Sequence, residues 1–562
     1  NFPCMTDIDT TIRKHALKNA ADFKGKANPG KLMGKIINDE PEWKTRSNEL
    51  MQKIRRIVEE VNSLSMDDQQ TILEKEYPEM LEKKEAKRRE LFEFLGIKEG
   101  QSVISAFPPG PEKYPHIGHA KACILNFMLA KRYNGKFLLR FEDTNPKTVK
   151  SLFYDMMQKD FRWLGVEWDD LLYASDFMDM YYDLAKKIIA EGHAYVCSCD
   201  GEKTALSRAK GIACDCRSRA PAENLELFED MKTLPEGHAI LRMKIDLKHQ
   251  NTTMRDPTLF RIIDQEHPRQ GKKYRVWPNY DWQNGIMDGY LGVTHRVRSK
   301  EFELRAELQH YIQDMLGFKQ TTTYEMARFN MKGVLSSGRV IRGKIESGEL
   351  MGWDDPTLTT ITALRRRGFL PEAIRNFVVS TGITKNESTL TWDDLIIHNK
   401  RLLDAGADRL SFIADPVAVV IKGAPVQEVE LNLHPERKGG RKFKTKDLFY
   451  ITKADFASLE TGKLYRLMDC LNFRKTEDGL EFHSTDVEAY KKEGKSIMHW
   501  LPQSSSLIET DIMMSDKEIV SGLAEHTTEQ VKHGDVVQFE RFGFCRLDDK
   551  QESKQIFWFT HK

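Results

Sequence analysis

Apolar residues recur at helical spacing over residues 51–64, and residues 82–89 form a charged face that leads to Leu91 and Phe94. Residues 1–98 therefore read as a helical extension, an arm that docks a partner or simply lengthens the fold. The pattern changes at residues 102–107, a short β-prone run that Pro108-Pro109-Gly110-Pro111 stops. Residues 116–133 show helical periodicity and contain no proline, and residues 136–141 read as a second strand. Strand, turn, helix and strand in that order make a βαβ unit, the opening of a Rossmann-like sheet. A helix over residues 152–164 and the run Ala194-Tyr195-Val196 continue the alternation.

From Cys197 to about Tyr274 the alternation lapses, which predicts an insertion. The α/β pattern resumes at Tyr280, with residues 301–316 as a helix. Residues 357–413 are helix-rich and include Leu364-Arg365-Arg366-Arg367-Gly368. After Asp415-Pro416 the character turns to β: residues 417–421 and 429–433 read as strands, with turn residues recurring to the end. The fold class expected is multi-domain α/β, divided at 1–98, 99–196, 197–276, 277–345, 346–414 and 415–562. The first half of the Rossmann-like domain is 99–196 and the second is 277–345, around an inserted 197–276. No internal repeat interrupts this reading.

Composition changes the picture little. A chain of 562 residues is too long for one core. Its 40% hydrophobic and 30% charged residues are ordinary for a soluble globular protein. No apolar run approaches the roughly 18 residues of a membrane span. Asn1-Phe2-Pro3-Cys4-Met5 has neither a basic start nor an apolar stretch, so no secretory signal is expected. The net charge of +1 excludes a globally basic nucleic-acid binder, although an RNA partner needs only local basic surface. Four of the eight cysteines fall in Cys197-x-Cys199 and Cys214-x-Cys216. That clustering predicts a metal site in a reducing compartment, and hence a cytoplasmic protein, more than a disulfide framework. Four thiolates suffice for a structural Zn2+, although the one-residue gaps are shorter than usual.

The candidate chemistry starts at His116-Ile117-Gly118-His119. Two histidines at i and i+3 share one helix face, here in the first turn, where free N–H groups and the helix dipole favour anions. Gly118 leaves room for a nucleotide to approach the backbone. Such a site suits a triphosphate whose α-phosphorus is attacked by a carboxylate. No general base is needed, and catalysis is positioning plus stabilisation of charge on phosphorus.

The stretch Ala106-Phe-Pro-Pro-Gly-Pro-Glu-Lys-Tyr-Pro-His-Ile-Gly-His-Ala-Lys121 resembles the first signature of class I aminoacyl-tRNA synthetases, in the form used by glutamyl and glutaminyl enzymes. Leu139-Arg140-Phe141-Glu142-Asp143-Thr144-Asn145-Pro146, Trp277-Pro-Asn-Tyr280-Asp281-Trp282 and Asp288-Gly-Tyr-Leu-Gly292-Val-Thr294-His295-Arg-Val-Arg298 agree with it. The likeness runs from about residue 100 to 415. It continues more loosely to the C-terminus, where it resembles the archaeal and eukaryotic branch with a β-barrel anticodon-binding region.

The resemblance implies ATP and Mg2+, with Pro108, His116, Gly118, His119, Leu335 and Ser336 at the nucleotide. It implies Glu142 and Tyr280 at the amino acid's ammonium and Asn284 on the pocket wall. Arg298 implies glutamate: a guanidinium fork matches a γ-carboxylate, whereas an amide would leave the charge buried and unpaired. Two departures stand out. The lysine of the second signature loop is Ser337 here, in Val334-Leu335-Ser336-Ser337-Gly338-Arg339, which makes Arg339 the expected replacement cation, with Arg342, Lys332 and Lys344 as others. Many relatives carry arginine at the position of Ala106.

The resemblance further implies that the insertion grips the acceptor end of tRNA and that residues 346–414 contact its stem, with Arg365 and Arg366 on the inner bend. Arg437, Lys438, Arg441 and Lys442 would face the RNA from the β region. The partners implied are tRNA(Glu), with tRNA(Gln) left open, and glutamate and ATP as substrates, but no membrane and no DNA. A glutaminyl enzyme of the same fold and a non-catalytic tRNA-binding paralogue are the alternatives.

Overall fold

The protein is described by a computed structural model covering residues 7–23, 25–80, 91–98 and 100–562. The charged run at 82–89 lies outside the described residues. The chain divides into two compact units, Asn1–Glu93 and Phe94–Lys562.

The first unit is helical, as its periodicity predicts: α1 (Asp7–Asp22), α2 (Met33–Asp39), α3 (Ser47–Asn62) and α4 (Met66–Glu76). Leu50, Ile54, Ile57, Val58 and Val61 form one buried stripe along α3 at three- and four-residue spacing. They pack on Ile12, Ala16, Leu17 and Ala20 of α1. Gln69 on α4 is buried and satisfied, its amide donating to the carbonyls of Val61 and Gly25.

The second unit opens with β1 (Ile104–Phe107), α5 (Ile117–Arg132), β2 (Lys136–Phe141), α6 (Ser151–Trp163) and β3 (Asp170–Tyr173), the strands pairing in parallel in the order β1-β2-β3. All of β2 beyond its first residue is buried, as a strand covered on both faces must be. After α7 (Met178–Ala190) the chain enters β4 (Ala194–Cys197). This run was expected to continue the parallel sheet, and it does not. It pairs antiparallel in a separate four-stranded sheet with β5 (Ile240–Met243), β6 (Thr258–Ile262) and β7 (Val276–Pro278). A short, fully buried strand reads the same in either kind of sheet, so periodicity could not separate them. The inserted sheet thus begins before Cys197 and ends after residue 276. It also carries α8 (Gly201–Lys210) and α9 (Pro221–Asp230).

Parallel pairing resumes after α10 (Tyr280–Tyr290) in a two-stranded sheet of β8 (His295–Ser299) and β9 (Thr322–Met326), with α11 (Glu303–Leu316) between them. Thr294, just before β8, bonds to both the carbonyl and the N–H of Ile104, which sets β8 beside β1. A two-residue parallel ladder joins β10 (Asn330–Met331) to β11 (Thr389–Leu390). Between these strands lie α12 (Gly338–Glu346), α13 (Ile361–Arg366) and α14 (Pro371–Thr381); α15 (Trp392–Asp404) follows.

The β region begins at Arg409 rather than 415. One seven-stranded sheet runs Arg409–Leu410, Val536–Phe539, Gly543–Lys550, Lys554–His561, Ile508–Met513, Ile519–Ala524 and Phe412–Ala414 in spatial order, and a second is built around Pro416–Lys422. A hairpin of β12 (Gln427–His434) and β13 (Arg437–Thr445) stands between their cores. Among the described residues no helix is long and apolar enough to cross a membrane.

Candidate active site

β1 runs out at Phe107 into the proline turn, and α5 starts at Ile117 with His116 as its N-cap. The two histidines cap the helix reciprocally. Nδ1 of His116 accepts from the Gly118 N–H at 3.1 Å, and Nδ1 of His119 accepts from the His116 N–H at 3.2 Å. A ring nitrogen that accepts carries no proton, so both imidazoles are Nε2–H tautomers. Burial, then the charges of Lys113 and Arg328, pull His116 down to about 3. Burial, with His116 and Lys113 beside it, holds His119 well below the usual value. The turn therefore presents neutral donors, not cations. Gly118 makes room first for the His116 ring: a Cβ there would lie 2.8 Å from its Cε1.

A cavity of about 570 Å³ opens in front of this turn and brings together Pro108, His116, Gly118, His119, Glu142, Tyr280, Arg298 and Ser336. Its floor follows from local periodicity. On α10, residues 280, 284 and 288 recur at every fourth position and share one face. On β8, Arg296 and Arg298 are two apart and share the other. Arg140, the last residue but one of β2, lies on the same side as Glu142, two residues on.

These side chains close into a ring. Glu142 Oε1 accepts from Arg140 at 2.8 Å and from the Asn284 amide at 3.1 Å. Arg140 reaches Asp288 at 2.8 Å, Asp288 accepts from Arg296 at 2.5 Å, and Arg296 donates back to Asn284 at 3.0 Å. Two guanidinium and two carboxylate groups balance within it. Asn284 thus lies beneath the pocket rather than on its wall, orienting Glu142 and Arg296. Arg296 Nε and both ends of the pocket-lining Gln283 amide are buried without partners, as are single atoms of Glu142 and Arg298. Glu142 Oε2 is buried without a partner, and burial, outweighing Arg140, holds this carboxyl above its usual range. Arg298 is 6% exposed and donates to the Gln309 amide oxygen and the Phe302 carbonyl. Its Nε has no partner, and burial and Arg296 lower it to about 10. Beside the ring, therefore, Arg298 is a buried positive charge without an ion-pair partner among the described residues, and Glu142 offers one free carboxylate oxygen.

Other expected residues fall elsewhere. Leu335 packs on Ile341, Leu350, Leu358 and Ala363 and does not line the cavity. Arg339 is exposed on α12 and does not line it either, so the structure does not bring this expected replacement cation to the cavity. Ser337 is the N-cap of α12. Ala106 packs in an apolar cluster with Leu138 and Val293, on the face of β1 opposite the pocket-lining Phe107. Sequence reasoning missed Arg140, Arg296 and Asp288, although all three stood in the quoted motifs, and it missed the pocket-lining Lys113, Lys121, Arg261 and Arg328.

Residues 102–405 match the family described as tRNA synthetases class I (E and Q), catalytic domain. Residues 407–490 and 497–548 match two anti-codon binding domains of the same group. The chain belongs to the class I tRNA synthetases of the E and Q group. It is 39% identical over 575 residues to the Glutamate--tRNA ligase of Pyrococcus furiosus, covering 99% of this chain and 100% of that protein. The Glutamate--tRNA ligases of Pyrococcus abyssi and Methanococcus maripaludis are 40% and 36% identical, over 99% and 98% of this chain and all of theirs.

The synthetase's cysteine pairs converge. Cys197 closes β4, Cys214 caps a short 3-10 turn and Cys216 lies within it, with all four Sγ atoms within 4.8 Å of one another. Cys197–Cys214 is 3.9 Å and Cys199–Cys216 is 4.0 Å. Four sulfurs held at about 2.3 Å from one zinc would be about 3.8 Å apart, so the set fits a tetrahedral ion.

The basic residues expected to meet tRNA divide. Arg441 is corrected outright: it is 1% exposed, its Nη2 lies 2.6 Å from Glu525, and its Nη1 lies 3.1 Å from Glu540. Arg366 keeps 33% side-chain exposure but is engaged within the protein. It is held by Asp548 at 2.7 Å and Asp354 at 2.6 Å and stacks on Trp558, tying α13 to the β region. Arg365 pairs with the buried Asp160 at 3.3 Å. Arg437 pairs with Asp408, while Lys438 and Lys442 are exposed on β13. A basic run cannot announce which of its members meets a carboxylate from a distant segment.

Proposed function

We propose that this synthetase is a glutamate--tRNA ligase, and the observation that carries the reading is the buried, uncompensated Arg298 beside a charge-balanced ring. Free glutamate brings one ammonium and two carboxylates. Its ammonium suits Glu142 Oε2, an acceptor left without a partner, against the Tyr280 ring. Its γ-carboxylate suits Arg298. A glutamine side chain would leave that guanidinium buried and unpaired, which disfavours the glutaminyl reading. An intact ring and neutral histidines disfavour a non-catalytic paralogue.

In this reading an α-carboxylate oxygen of glutamate attacks the α-phosphorus of ATP, the bond to the bridging oxygen breaks, and pyrophosphate leaves. The glutamyl group then passes to tRNA and AMP is released. The Nε2–H groups of His116 and His119 donate to the triphosphate without competing for its protons, with Pro108 and Ser336 at the same mouth. Mg2+ would reach the site on the phosphates of ATP and would spread their charge. Arg298→Gln is expected to lower kcat/KM for glutamate about 100- to 1000-fold in tRNA charging, with the KM for ATP unchanged. A change below about threefold would refute the assignment.

The division of labour proposed places acceptor-end contacts on the insertion, stem contacts on residues 346–414 and anticodon contacts on the β region. Lys438 and Lys442 are the free cations on β13 for tRNA(Glu). Charging of tRNA(Gln) is read in the same assay. The four thiolates suit structural Zn2+ in a reducing compartment such as the cytoplasm. Elemental analysis is expected to find one equivalent of zinc, and less than about half would refute it.

A further inference from the structure

Lys113 lies in the turn between β1 and α5, a turn fixed at several points. Glu142 N–H donates to the Pro109 carbonyl, Lys150 N–H to that of Pro111 and Ile361 N–H to that of Pro115. The side chain lines the cavity. Its stem crosses to the opposite wall and lies on Gly338, where a Cβ would meet the Lys113 Cδ at 2.8 Å. Gly338 is the first residue of α12, next to Ser337. A lysine anchored on one wall of the mouth thus rests on the other, and glycine is what makes room for it.

Most of the other cations near this mouth are engaged or misplaced. Arg328 is paired with Glu301. Lys121 is buried over the Phe329 ring at 4.5 Å and bonds to the Ala327 carbonyl. Arg342 donates to the Glu112 carbonyl and Lys344 pairs with Glu349. Lys332 and Arg339 do not line the cavity. Arg261 also lines it, and its Nε is buried without a partner. Among the described residues the Lys113 ammonium has no hydrogen-bond or ion-pair partner. Burial lowers its pKa, so a phosphate that paired with it would relieve a real desolvation cost.

We propose that Lys113 is the cation that grips the β- and γ-phosphates of ATP beside His116 and His119, across the seam that it forms with Gly338. This rests on the glutamate--tRNA ligase reading. The chemistry is charge stabilisation alone, with no proton transferred to or from Lys113.

The test uses Lys113→Met, which keeps the stem that packs on Gly338 and removes the charge. Tyrosine- and tryptophan-based thermal unfolding is expected to be unchanged. The kcat of tRNA-dependent ATP–pyrophosphate exchange is expected to fall about 100-fold with the glutamate KM held within about twofold. Lys113→Arg should recover activity to within about tenfold of wild type. Ser337→Lys added to Lys113→Met should recover at least about tenfold, because its ammonium would enter the same space from the other wall. A Met variant within about threefold of wild type, or a glutamate KM that moves as much as kcat, would overturn the proposal, as would failure of the Ser337→Lys rescue. Failure of the wild-type protein to charge tRNA with glutamate would strike the parent reading instead. In that case equilibrium binding of ATP alone still decides Lys113: about tenfold weaker binding by Lys113→Met supports it, and equal binding overturns it.

Discussion

Glu142 and Arg298 are both left incomplete by the fold, in opposite senses. The carboxyl has one oxygen tied to Arg140 and Asn284 and one bare. The guanidinium lacks an ion-pair partner among the described residues. This has a consequence for pH. Burial raises the Glu142 pKa above the usual carboxylate range, and only the ionised form can pair with an ammonium. kcat/KM for glutamate should therefore rise with pH through that raised pKa, and its loss on acidification should begin at a higher pH than for an ordinary glutamate. His116, lowered to about 3, stays neutral throughout and adds no limb of its own. A pH–rate profile of exchange checks this: Glu142→Gln should abolish the acid limb along with most of the affinity, and a limb that survived would assign it elsewhere.

At the scale of elements, the hairpin β12–β13 has two opposite faces. Arg441, with its three-way contact to Glu525 and Glu540, is structural. Arg441→Ala should cost about 3–5 kcal/mol in chemical denaturation, because Glu525 would be left buried and unpaired. Lys442→Ala should change stability by less than about 0.5 kcal/mol but should weaken tRNA binding and lower its salt slope by about 0.7–0.9. If the two variants behaved alike, the faces would be misassigned. Asp548→Ala should likewise cost about 1–3 kcal/mol by freeing Arg366 from the contact that ties α13 to the β region. Sequence could reach the β1–α5–β2 unit because its signals are local: a β-prone run, a proline turn, a 3.6-residue period. It could not reach Arg366, whose partner lies 182 residues away, nor separate Arg441 from Lys442. Nor could it place Ala194-Tyr195-Val196, since buried strands of parallel and antiparallel sheets share one pattern.

For the molecule as a whole, the class was legible in four motifs, and the proposed choice of glutamate rests on the single residue Arg298. Less legible was how that residue would decide. Its isolation depends on Asp288 being claimed by Arg140 and Arg296, a fact of packing between β2, α10 and β8 rather than of any one segment. The same holds for Lys113, whose place against Gly338 joins two stretches that sequence treats as unrelated. The central claim is that this arrangement selects a carboxylate over an amide. The direct measurement is the ratio of kcat/KM for glutamate to that for glutamine in charging of tRNA(Glu) by the full chain. The account predicts a preference for glutamate of at least about 1000-fold. A ratio near one, or a preference for glutamine, would contradict it.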